Sequence, residues 1–549
     1  MPPVNLSAKS SALIFKGFFL PSFRAASQDI LEYVGQEAAW EPAGKDLKSR
    51  GLDFADRFIP PRLKHSMLKT LLFPVKRVEW LSFSLMFLIV SLINVNFSIL
   101  RSMRNALVVA DTGGSAAFIP YFELFGTFPA SILLTWGISR LMRFFSMRFI
   151  FSTMMLFFLS FFVVFAFWIY PHRDEIQALL ESRWGVLSSL NRFRVIITHW
   201  PDMVFYIMSE LWKVALLSVV FWGFLNQHLA LEQAKRFYPP LLLGTSVGTM
   251  LAGPITVFCT SVFSWNVLHL SSQRWQHSLY LLTAFLLSCG LLTLFLFSFL
   301  FKKLKTTPVI LPESCEKKEP FSQRLLSLSS SLRYLFDSPY LKALLLIVIA
   351  EYVCYALGEL IFLETLKTKY STPTEYCQYM GSLSFWMGVL TAGSALFLTP
   401  YLLQTYRWSR TTLITPIIMV IISFAFFFSI YCAKMGIFPT LFPLTLAVML
   451  GSLHFCVGRA AKYTLFDAIK ELAFIPLNQE GQVKGKLIID GIGSRLGRGA
   501  SSVLSIPLFL LLGGPMESAL FIGILATLFA ALSIFAGKQI GAELDKSHY

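Results

Sequence analysis

The chain has 549 residues, of which 55% are apolar, 15% aromatic and only 14% charged, with a mean hydropathy of +0.63. That composition excludes an ordinary soluble globular domain and identifies an all-α polytopic membrane protein. The formal net charge of +16 fits either topology signals on cytoplasmic loops or a basic path for an anionic substrate, and the placement of the charges has to decide.

Residues 1–66 form a mixed, moderately polar N-terminal tail. Its best apolar run, ALIFKGFFLP, is interrupted by Lys16 and lacks a small-residue cleavage site, so it does not read as a secretory signal. The absence of acids before Asp29 is faintly like an organelle transit peptide; a plain cytoplasmic tail, or a true start at Met67, is the preferred expectation. From Trp80 onward, apolar runs of about twenty residues, each enough to cross roughly 30 Å of hydrocarbon, recur between polar separators. Twelve are predicted, at 80–100, 116–138, 149–170, 203–225, 239–260, 277–301, 341–363, 381–402, 411–432, 436–457, 488–513 and 517–537.

The longest separator after the first span, 302–340, divides them six and six. The expected organisation is an N-terminal six-helix bundle (67–301), a central cytoplasmic loop (302–340), a C-terminal six-helix bundle (341–537) and a short tail (538–549). With the N-terminus inside, the inner segments hold 28 Lys and Arg and the outer loops 8, leaving out Arg101 and Arg104. That bias predicts both termini in the cytoplasm. Two six-helix halves joined by a basic loop are the pattern of transporters with a substrate cavity at the midplane.

Ionisable groups inside the spans carry the functional information, because burying them in hydrocarbon is costly unless they face water or each other. The first half places Arg101 and Arg104 at the end of span 1, Glu123 in span 2, and Glu210 with Lys213 in span 4. The second half places Glu351 and Glu359 in span 7, Arg459 and Lys462 at the end of span 10, then Lys484 and Lys486 in a KGK segment. Arg101 is expected to snorkel to the surface, and Lys213, three residues from Glu210, to neutralise it. Arginine and lysine are the side chains that bind phosphate, the first by a planar fork and the second as a point charge.

Motifs for enzymes and cofactors are missing: there is no G-x-x-x-x-G-K-[ST], HExxH or G-x-S-x-G, and the seven cysteines show no metal-ligand spacing. No enzyme activity, cofactor, metal or nucleic-acid partner is expected. The small residues of GTSVGTMLAG (244–253) and GIGSRLG (491–497) read instead as sites of close helix contact.

Longer blocks carry a family likeness: RNALVV at 104–109, MSELWKVALLSVVFWGFLNQ at 208–227, EQAKRFYPPLLLG at 232–244, TPTEYCQYMGSLSFWMGVLT at 372–391 and AKYTLFDAIKELAFIPLNQEGQVKGKLIIDGIGSRLG at 461–497. Through them the chain resembles the ATP/ADP translocase-type nucleotide transporters of obligate intracellular bacteria and plastids. The resemblance implies a major-facilitator-like fold that moves ATP, ADP or other nucleotides across a lipid bilayer by alternating access; a monomer is an expectation beside it. It also implies the inner membrane of an intracellular bacterium as location, with the plastid inner envelope as alternative. It points to Arg104, Glu210, Glu359 and Lys484 or Lys486 as substrate-handling positions, with Arg459 and Lys462 as further basic ones.

Two departures stand out. The chain has Met103, Arg104 and Asn105 where typical members read Thr-Lys-Asp, and Glu123 where a lysine is usual. Glu123 is therefore also a candidate for proton coupling. The expected function is ATP:ADP antiport or closely related nucleoside triphosphate import. Proton-coupled net uptake is the alternative, and an ion-translocating membrane subunit a more distant one.

Overall fold

The computed structural model describes residues 79–547 apart from short internal stretches, chiefly 176–198, 263–270, 307–334 and most of 478–492. The N-terminal tail and most of the central loop lie outside the described residues, as do Lys484 and Lys486. Among the described residues, twelve helices are long and apolar enough to cross a membrane. They are α1 (Trp80–Ala110), α2 (Phe118–Leu141), α3 (Met147–Ile169), α4 (Trp200–Asn226), α5 (Arg236–Ser261), α6 (Arg274–Lys303), α7 (Pro339–Lys369), α8 (Pro373–Leu403), α9 (Trp408–Lys434), α10 (Leu444–Leu472), α11 (Arg495–Leu512) and α12 (Ala519–Glu543). No strand occurs among the described residues.

Local chemistry sets several of the helix ends. Ser338 and Thr372 accept hydrogen bonds from the Leu341 and Glu375 amides (both 3.3 Å), each followed by a proline in the first turn, which starts α7 and α8. Gly513, at φ +98°, ends α11 in the left-handed conformation that favours glycine. Other turns widen: π segments occupy Ala106–Ala110 in α1, Phe122–Thr127 in α2, Lys213–Phe221 in α4 and Lys462–Phe466 in α10. Such wide turns cluster at functional positions in helices.

Packing repeats between the first six helices and the last six. α1 packs on α4, α5 and α6, while α7 packs on α10, α11 and α12, so that α1 corresponds to α7 and α4 to α10. These two helices are the most enclosed, with 78% and 67% of their apolar windows buried inside the protein. Hydrogen bonds fix the first half around α1: Trp212 of α4 donates to the Ile93 carbonyl and Asn96 donates to the Leu286 carbonyl of α6, both at 3.1 Å. The halves meet along α5 with α8 and along α2 with α11. Twelve membrane-length helices in two six-helix halves are the arrangement expected from the sequence.

Glycine makes the α5–α8 seam. A Cβ on Gly388 would lie 2.6 Å from the Met250 amide nitrogen, and one on Gly253 would lie 2.8 Å from the Gly381 carbonyl oxygen. The GTSVGTMLAG segment thus does what its small residues suggested: Gly244 and Gly248 admit α1, and Gly253 admits α8. Gly497 of GIGSRLG likewise sits against Tyr352 and Ile349 of α7.

α1 runs ten residues beyond its expected end, and the reason is a compact turn that follows it. Asp111 closes on the Ala106 carbonyl, accepts a hydrogen bond from Tyr170 at 2.9 Å and pairs with Arg173. Gly113, at φ +71°, turns the chain, and Gly114 packs where a Cβ would come within 2.6 Å of the Val108 carbonyl oxygen. This turn then reaches the second half: Ser115 Oγ and the Ala116 amide donate to Glu364 of α7 at 3.1 and 2.7 Å, and Lys367 Nζ donates to the Gly114 carbonyl at 2.5 Å.

Candidate functional site

Helices α1, α2 and α4 from the first half and α7, α10 and α11 from the second enclose one cavity. Counted with its open mouth it measures about 890 Å³. Its wall holds the cations Arg104, Lys213, Arg459, Lys462 and Arg498 and the carboxylates Glu123, Glu210 and Glu359. Positive charge therefore prevails by two.

Two ion pairs occupy corresponding places. Arg104 of α1 donates through Nη1 to Glu210 of α4, and its guanidinium lies 4.6 Å from the centre of the Tyr206 ring. Arg459 of α10 donates through Nη2 to Glu359 of α7 at 2.5 Å, donates through Nε to the Tyr355 hydroxyl, and lies over the Phe455 ring at 4.7 Å. Arg104 and Arg459 are buried, so each draws on a carboxylate and an aromatic face in place of water.

A lysine follows three residues after Glu210 and three after Arg459, in both cases at the start of a π segment. Lys213 Nζ lies between the rings of Phe97 (5.1 Å) and Tyr463 (5.2 Å), and Lys462 Nζ lies 3.2 Å from the centre of the Tyr352 ring. Lys213 thus lies against aromatic rings and makes no direct ion pair with Glu210 among the described residues, although its charge still acts on that carboxylate. Glu210 is engaged by Arg104 and, at 3.7 Å, by Arg498 of α11.

Arg101 is a correction to the sequence-based expectation. It is 3% exposed, with its guanidinium 5.5 Å from the Phe97 ring, and does not snorkel to a surface, because α1 continues past it. Glu123 accepts a hydrogen bond from the Tyr206 hydroxyl at 3.2 Å. Among the described residues it has no cation within ion-pair distance.

The structure thus brings Arg104, Glu123, Glu210, Glu359, Arg459 and Lys462 to one cavity wall. Sequence reasoning missed Arg498, although it falls inside the predicted span 488–513. The signal was there: an arginine inside an apolar run is costly wherever it falls. The tyrosines 206, 352, 355 and 463 left no such trace, since aromatic residues in an apolar span read as packing.

Fold and site define a multi-pass membrane protein with a cationic cavity between two six-helix halves. A family model described as "TLC ATP/ADP transporter" matches residues 61–544. "ADP,ATP carrier protein 1" of Chlamydia muridarum (strain MoPn / Nigg) is 32% identical over 483 residues, 85% of this chain and 89% of that protein. "ADP,ATP carrier protein 2, chloroplastic" of Arabidopsis thaliana is 29% identical, covering 82% of this chain and 72% of its own. "ADP,ATP carrier protein 3" of Rickettsia prowazekii (strain Madrid E) is 26% identical, covering 89% and 99%. The chain belongs to the TLC ATP/ADP transporter family.

Proposed function

We propose that this protein carries phosphorylated nucleotides across a membrane, by ATP:ADP antiport or closely related nucleoside triphosphate import. The observation that carries this reading is the cavity itself, whose wall holds five cations contributed by both halves. A polyphosphate leaving water needs several Arg and Lys donors at once, and here α1, α4, α10 and α11 provide them. Arg104, Arg459, Lys462 and Arg498 receive the phosphates, while Glu210 and Glu359 hold the two arginines in place when cargo is absent. The carriers named for the related Chlamydia, Rickettsia and Arabidopsis chains support the adenylate assignment.

Transport proceeds by rocking of the halves along the α5–α8 and α2–α11 seams, so that cargo binding on one side favours closure of that side. Both termini lie in the cytoplasm, in the inner membrane of an intracellular bacterium or, alternatively, a plastid inner envelope. The turn after α1 and the end of α7 then close the outer face. Lys484 or Lys486, outside the described residues, completes the phosphate site in this reading.

Uptake of labelled ATP into proteoliposomes, with ADP, ATP or buffer inside and a panel of nucleotides outside, tests the proposal. Uptake that depends on internal nucleotide supports exchange. Uptake from an empty interior that rises with an inward proton gradient supports proton coupling, and loss of that rise in Glu123→Gln assigns Glu123, which has no cation at ion-pair distance among the described residues, as the proton carrier. No saturable uptake of any nucleotide would refute the reading.

A further inference from the structure

Asn105 follows Arg104 on α1, is 2% exposed and lines the same cavity. Its amide nitrogen Nδ2 is buried and has no hydrogen-bond partner among the described residues. The neighbouring Arg104 leaves its Nε in the same condition, with Nη1 committed to Glu210. A buried donor without an acceptor carries its full desolvation cost, so two on consecutive residues at a cavity wall mark a place to be filled from outside the chain.

What fills it must be rich in acceptors. Both orphans are N–H donors and one belongs to a guanidinium, which favours phosphoryl oxygens over the paired donor and acceptor edge of a nucleobase. We propose that Asn105 is a specificity-determining residue whose Nδ2 donates to a phosphoryl oxygen of the cargo beside Arg104, and whose neutrality sets how many negative charges the cavity accepts. This rests on the nucleotide reading given above. An acid at this position would cut the excess of cations over carboxylates at the wall from two to one and turn a donor into a repelling acceptor.

The test is competition against labelled ATP uptake by unlabelled ATP, ADP and AMP, and by triphosphates of other bases, in wild-type proteoliposomes and in three variants. Asn105→Asp should weaken competition by ATP about tenfold or more and by AMP much less, flattening the order ATP, ADP, AMP. Asn105→Leu, which removes the donor without adding charge, should weaken ATP by a smaller factor, and Asn105→Ser, which restores a donor, should recover part of it. Thermal unfolding without nucleotide checks that each variant folds, and the serine and leucine variants decide the matter if the aspartate variant does not. A wild-type order of potency unchanged in the variants, or a change confined to base preference, would overturn the assignment alone. Wild-type uptake indifferent to phosphate number would overturn the nucleotide reading and the assignment with it.

Discussion

Arg498 has 43% of its side chain exposed, more than the arginine of either ion pair, and it touches Glu210 from the opposite half. Its 3.7 Å contact with Glu210 is the longest of the three cavity arginine–carboxylate contacts, so it gives up the weakest pairing of the three on meeting an anion. Replacing it with glutamine is expected to weaken ATP competition by about tenfold or more, with lysine retaining part of the affinity; equal inhibition constants for wild type and Arg498→Gln would contradict this. Glu359 behaves differently, because Arg459 is buried beside it. Glu359→Gln leaves a guanidinium facing an amide, and breaking such a pair costs about 3 kcal/mol, which should appear as a lower Tm of the purified protein. The cavity residues were legible where an apolar run contains a charge: Arg104, Glu210, Glu359, Arg459 and Lys462 all announce themselves by their cost. Their pairing was not legible. Arg104 and Glu210 are 106 positions apart, and nothing local in either segment marks the other.

The seam between α5 and α8 is where an element decides the fate of the whole. Gly388 faces the backbone of Met250, which cannot move aside as a side chain would. Gly388→Val should destabilise the protein by about 1–3 kcal/mol, read as a fall in Tm, and should slow transport. Gly137 in α2 provides the contrast, since a Cβ there meets nothing within 4 Å. Gly137→Ala should be neutral or stabilising by up to about 1 kcal/mol. Small residues at these contacts were readable from composition alone; which glycine meets which helix was not. The twelve helices were also readable, because length and hydropathy are local properties. The extension of α1 to Ala110 was not, because Arg101 and Arg104 look like a polar end until Glu210 and the Phe97 ring are brought to them.

At the scale of the molecule, the two halves are tied together at one end by the turn after α1. Glu364 takes hydrogen bonds from Ser115 and Ala116, and Lys367 gives one to Gly114, while Asp111 and Arg173 hold that turn to the first half. Replacing Glu364 and Lys367 together by alanine should open this end more often. A cysteine placed at Ser502, in the cavity wall, should then react several-fold faster with a membrane-impermeant thiol reagent added on that side. Labelling rates that match the intact pair would show that other contacts keep the end shut.

The two ion pairs occupy equivalent places in the repeat, yet their signs are exchanged. The first helix of one half brings the cation and its fourth helix the anion, whereas in the other half the first helix brings the anion and the fourth the cation. A slot matched in sign as well as in place would receive a rod-like guest either way round. Here the exchange removes that equivalence, so a guest charged at one end and aromatic at the other finds a single preferred lie, like a key with a marked edge.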